Sequence, residues 1–142
     1  MENKSLEKAK EILESGGYTC ALTDGDEIYT STLRGVKPLV QFLESGTAFA
    51  GFSAADKVVG RATAYLYVLL GVKSLYAQVI SRPALAVLQE SGIEASYGTL
   101  VPNIINRKGD GICPFEAAVM DITDPQSAYA AIRQKMQELN IQ

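Results

Sequence analysis

The chain has 142 residues, 47% of them hydrophobic and 20% charged, with 13 basic and 16 acidic side chains for a net charge of −3. This is the balance of a folded domain and gives no long-range attraction to nucleic acid or anionic lipid. With no histidine and only two cysteines, the chain cannot build a Ser-His-Asp or Cys-His catalytic set or the common zinc sites.

Met1 to Glu11 is studded with charges and lacks the apolar stretch of an export signal, so a cytoplasmic protein is expected, with Cys20 and Cys113 as reduced thiols. Residues 6–14 read as a helix stopped by Gly16-Gly17. Tyr18 to Thr23 has the two-residue period of a strand. Asp24-Gly25 is a two-residue hairpin signal, and 26–30 would be the returning strand. A short helix follows from Pro38 to Glu44, closed by Gly46, and then an apolar strand over 47–52.

Asp56 to Leu70 is the strongest predicted helix, apolar almost all round and therefore expected to be buried. Ser53-Ala54-Ala55-Asp56 has the spacing of a capping box in front of it, and Gly71 suits its end. A buried strand over 75–80, a helix over 83–90 ended by Gly92, and a strand over 93–101 interrupted by Gly98 come next. A loop occupies 102–112, and helices 114–120 and 125–139 finish the chain. Pro38, Pro83, Pro114 and Pro125 each sit where a helix should open, a position that needs no amide hydrogen. The longest charge-free apolar run is the eleven residues between Arg61 and Lys73, too short to span a bilayer. The order of elements predicts a single α/β domain, residues 1–142, with a mixed sheet and helices on its faces.

Three places could carry chemistry. The most specific is the run from Asn106 to Glu116, where Pro114 opens a helix and leaves Cys113 at its N-cap. Free amides there favour a thiolate or a bound anion, with Arg107 and Lys108 adding positive charge. The bland alternative is that Cys113-x-x-Glu116 imitates a capping box, with Glu116 returning to the Cys113 amide. The second place is Asp56-Lys57, read as the start of the buried helix, facing either a ligand or only its own cap. The third is Ser81-Arg82 ahead of Pro83, at the carboxyl end of a strand, where ligands of open α/β sheets collect but where Ser81 is also an ordinary cap. Gly109-Asp110-Gly111 lacks the third glycine of a dinucleotide fingerprint and no Walker A run exists, so no motif calls for a cofactor or a metal.

Asp-Lys-Val-Val-Gly at 56–60, Val-Ile-Ser at 79–81 and the Asn-Arg…Gly-x-Cys-Pro-x-Glu run at 106–116 resemble the domain of unknown function 1893 family, of the cytidine-deaminase-like superfamily. The resemblance covers nearly the whole chain. It implies a three-layer α/β/α sandwich with a central mixed sheet. Zinc deaminases of that fold hold their metal at two helix starts, which here would fall near Asp56-Lys57 and Ser81-Arg82-Pro83. Neither place has a ligand of that type, so only the position of a pocket carries over.

Three functions follow as expectations. One is a binding site for a small anionic or nucleotide-like molecule, made by Asp56, Lys57, Ser81, Arg82, Asn106, Arg107 and Glu116 at helix N-termini. Another is a non-catalytic module that self-associates into a homo-oligomer. The third is a thiol enzyme using Cys113, with Asp56, Glu116 or the helix dipole in place of a histidine base.

Overall fold

Runs of small and β-branched residues form the strands, and proline opens four of the helices. The computed structural model describes residues 4–106 and 108–140. Its elements are α1 (Lys4–Gly16), β1 (Cys20–Thr23), β2 (Ile28–Ser31), α2 (Lys37–Glu44), β3 (Ser53–Val59), α3 (Arg61–Leu70), β4 (Ser74–Ser81), α4 (Arg82–Glu90), β5 (Glu94–Val101), α5 (Pro114–Ala118) and α6 (Pro125–Glu138). Pro38, Pro83, Pro114 and Pro125 all lie in the first turn of their helices.

The five strands form one mixed sheet in the order β2-β1-β3-β4-β5. β1 runs antiparallel to β2 and β3, whereas β3, β4 and β5 are parallel. Each parallel link crosses over through a helix, α3 or α4. Helix α1 covers one face, where Ala9 and Leu13 pack on Ala55 beside Tyr18 and Tyr76. Buried serines tie it down: the Ser5 hydroxyl lies 2.6 Å from that of Ser53, and Ser53 lies 2.8 Å from Ser74.

The opposite face holds the main core. Helix α3 lies at its centre with α2, α4 and α6 around it, and Ala64, Leu66 and Tyr67 are fully buried. Burying one such large side chain contributes about 1.5–3 kcal/mol. Gly71 closes α3 in the left-handed conformation, φ 81°, which a side chain would strain.

Three sequence expectations change. Helix α3 starts at Arg61, not Asp56, because residues 56–59 belong to β3. Asp56 pairs with Cys20 on one side and Ala77 on the other, and ladder bonds to two neighbours outweigh a local helical pattern. Ser53 to Asp56 is therefore not a capping box. Residues 47–52 form a loop, and their apolar character serves packing instead: Phe49 stacks edge-on to Tyr29 at 5.0 Å and to Phe52 at 5.3 Å. The hairpin turn spans 24–27, since Thr23 pairs with Ile28. There the Asp24 carboxylate accepts from the amides of Asp26 (2.9 Å) and Glu27 (2.8 Å), an Asx turn that needs the longer loop.

The parallel strands lose their two-residue period midway. Lys57 and Val58 are both exposed while Val59 is buried, and Ala77 and Ile80, three apart, share the main core. A Cβ on Gly98 would lie 2.9 Å from the Gln78 carbonyl oxygen, so glycine permits the close approach of β5 to β4 at this irregularity.

Candidate functional site

The carboxyl ends of β3, β4 and β5 open onto the starts of α3 and α4 and onto the loop that follows β5. Gly60, the residue before α3, has an ordinary extended backbone (φ −98°, ψ −179°) and no side chain with which to cap the helix. The cap arrives from far along the chain. Glu116 accepts from the Arg61 amide through Oε1 (2.7 Å) and from the Ala62 amide through Oε2 (2.8 Å). A Cβ on Gly60 would sit 2.6 Å from the Glu116 carboxyl carbon, so glycine makes room for this cap.

The loop geometry delivers Glu116. After β5, Ile105 and Ile112 form an antiparallel bridge. Asn106 organises the turn between them, its Oδ1 accepting from the Gly109 amide (2.9 Å) and its Nδ2 donating to Asp110 (2.9 Å). The Cys113 amide then donates to the Ile104 carbonyl (3.1 Å), and Pro114 opens α5. Cys113 is the N-cap residue of α5, but its side chain makes no capping bond. Its amide is already taken by Ile104, which is why Glu116 turns to α3 and not back to Cys113.

Beside this junction, the Arg61 guanidinium donates to the Tyr65 hydroxyl (3.0 Å) and to the Ile122 carbonyl. The Tyr65 hydroxyl donates to the same carbonyl at 2.8 Å. The connection between α5 and α6 is thereby fastened to α3. At the start of α4, fully buried Ser81 accepts from the Ala84 amide (3.2 Å), the ordinary capping role. Arg82, the next residue, is exposed.

Ser81, Arg82, Cys113 and Glu116 thus reach one edge of the sheet, Asn106 shapes the loop beside it, and Lys108 lies on that loop exposed to solvent. Arg107 lies outside the described residues. Asp56 and Lys57 do not join the edge. They are inside β3, with Asp56 buried and Lys57 exposed. The Asp56 Oδ2 accepts a 2.6 Å hydrogen bond from Tyr67, and Oδ1 one from the Val58 amide at 3.3 Å. Burial pushes the Asp56 carboxyl up to about 7, against the lowering effect of these bonds. Burial, and next the nearby Asp56, push the Cys20 thiol well above its usual range.

The sequence reading missed Gly60 as the seat of a remote cap and Tyr67 as the partner of a buried acid. A glycine between an apolar strand and a helix was the available signal for the first. Among the described residues, no group of three or more Cys, Asp or Glu side chains could hold a metal ion, and no helix is long and apolar enough to cross a membrane.

Comparison with known proteins finds both a family and a solved structure that the chain resembles. The family model described as "Domain of unknown function (DUF1893)" matches residues 8–136. The crystal structure of a DUF1893 family protein from Thermotoga maritima is similar over 97% of this chain and 92% of that one, with 30% identity and a TM-score of 0.85. No curated protein matches the chain.

Proposed function

The chain belongs to the DUF1893 family, and from that premise we propose that it binds a small anionic, nucleotide-like molecule at the carboxyl edge of β3, β4 and β5. The observation that carries this reading is the convergence of three segments on that edge: Gly60-Arg61, Ser81-Arg82 and the loop returning through Cys113 to Glu116. Ligands of open α/β sheets bind outside the carboxyl ends of the parallel strands, where loops meet helix starts. The charge complementing an anion comes from side chains, exposed Arg82 and Lys108, because the leading amides of α3 already serve Glu116 and the Ala84 amide of α4 serves Ser81.

The wider cytidine-deaminase-like likeness belongs to the same proposal. A mixed sheet with helices on both faces supports it, but zinc chemistry does not accompany it. The helix starts that would hold the metal, Gly60-Arg61-Ala62 and Ser81-Arg82-Pro83, offer no cysteine or histidine, so the residues do not fit a zinc ion. The thiol-enzyme reading is weaker for a related reason. Both oxygens of Glu116 are engaged by α3 and Asp56 is buried against Tyr67, so neither carboxylate expected to act as base for Cys113 is free to do so.

Self-association is the second reading, favoured by Val58. It is 46% exposed although it lies in a central strand of the sheet.

A thermal-shift screen against nucleotides, nucleosides, sugar phosphates and inorganic phosphate tests the first reading, with Arg82→Ala and Lys108→Ala in parallel. A ligand of the native state raises the melting temperature by mass action. A rise in the wild type that shrinks in both variants is expected. No rise with any compound, together with a dimer in sedimentation, would replace binding with self-association.

A further inference from the structure

We propose that Asp56 and Tyr67 form a proton-linked switch inside the sheet, one that tunes the irregular stretch of β3 leading to Gly60 and the start of α3. Asp56 lies at the point where the strand loses its period. Ionised, its Oδ1 accepts from the Val58 amide, two residues on, and its Oδ2 accepts from the Tyr67 hydroxyl. One carboxylate therefore ties the irregular part of β3 to the central helix. Protonated at Oδ2, the carboxyl donates to the Tyr67 hydroxyl where the carboxylate accepted from it, and the Val58 amide is left with the weaker, neutral Oδ1 acceptor.

Among the described residues, no cation compensates the charge. From β1, the facing titratable group is Cys20, the direct ladder partner of Asp56, and it is itself buried. From α3 it is Tyr67. From β4 the partner is Ala77, which does not titrate. The neighbouring cations lie elsewhere: Lys57 is exposed, and the Arg61 guanidinium is occupied by Tyr65 and Ile122. A carboxylate buried without a cation holds its proton more tightly, in accord with the upward displacement from 3.8 to about 7.

The linkage has a definite sign. Between about pH 4 and 7 the folded chain keeps a proton that the unfolded chain releases, so the stability due to this proton is full in acid and is lost as pH rises toward 7. Asp24 and Asp124 act oppositely. Amides of the turn hold Asp24 low, and the Ser127 amide holds Asp124 low. Their stabilisation is present above the ordinary carboxylate range and is lost only at more acid pH, outside the window of Asp56.

The test combines chemical denaturation from pH 4.5 to 8 (roughly the window in which one carboxyl binds or releases its proton) with amide NMR over the same range. In the wild type, the unfolding constant should rise by up to about tenfold per pH unit, and the Val58 amide resonance should titrate with a midpoint near that of Asp56. Asp56→Asn should flatten both profiles. Should that variant fail to fold, Tyr67→Phe still decides: losing a bond that favours the ionised carboxyl must move the Val58 midpoint upward. A pH dependence unchanged in Asp56→Asn, a Val58 amide that does not titrate in the wild type, or a midpoint that stays or falls in Tyr67→Phe would overturn the proposal.

Discussion

Removing the remote cap of α3 should expose its energetics. In Glu116→Ala, the Arg61 and Ala62 amides both lose a charged acceptor, at 2.7 and 2.8 Å. Hydrogen bonds to charged groups contribute about 1.5–3 kcal/mol each. Glu116 is only half-buried, so water can replace part of the loss, and a total of about 2–4 kcal/mol is expected. For a chain of this size that is a fall of roughly 6–12 °C in melting temperature.

Gly60→Ala tests the same contact from the other side. Its new Cβ would lie 2.6 Å from the carboxyl carbon of Glu116. The backbone there is ordinary for any residue, so the whole cost is overpacking, about 1–3 kcal/mol. In the double variant the carboxyl is gone and the methyl group has room. The combined loss should therefore fall short of the sum by at least about 1 kcal/mol, well beyond the usual scatter of independent sites. Urea denaturation of the four proteins measures this directly. Additivity within about 0.5 kcal/mol would refute the claim that Gly60 and Glu116 are one structural unit.

Other substitutions have simpler outcomes. Ser81→Ala leaves the Ala84 amide without its cap and should cost about 1 kcal/mol in denaturation, with the fold kept. Leu66→Ala opens a cavity at the buried centre of α3 and should cost about 2–5 kcal/mol. Native thiol labelling at pH 8 (roughly where a free thiol begins to ionise) should modify half-buried Cys113 well before Cys20, which is buried and raised further by Asp56. Equal labelling rates would contradict the burial of β1.

Much of the fold was legible because local rules and tertiary demands agreed. The prolines at 38, 83, 114 and 125 open helices as their missing amides require. Gly71 stops α3 for a backbone reason visible in the sequence. The reading failed where pairing overruled pattern. Asp56 to Val59 carries a charged start and apolar followers, as a helix would, and only the neighbours Cys20 and Ala77 make it a strand. Phe49 and Phe52 signalled burial correctly, but not the loop that achieves it. The candidate edge was half legible. Ser81 and Arg82 followed from strand and helix periods alone, whereas the bond from Glu116 to α3 joins residues 54 and 55 positions apart, beyond what local spacing encodes.

The most direct test of the account is an amide-resolved NMR titration with a nucleoside monophosphate, with inorganic phosphate as a second titrant. Binding at the carboxyl edge predicts shifts confined to residues 60–62, 81–84 and 104–116. Shifts confined to another surface, or none at millimolar ligand, would contradict it.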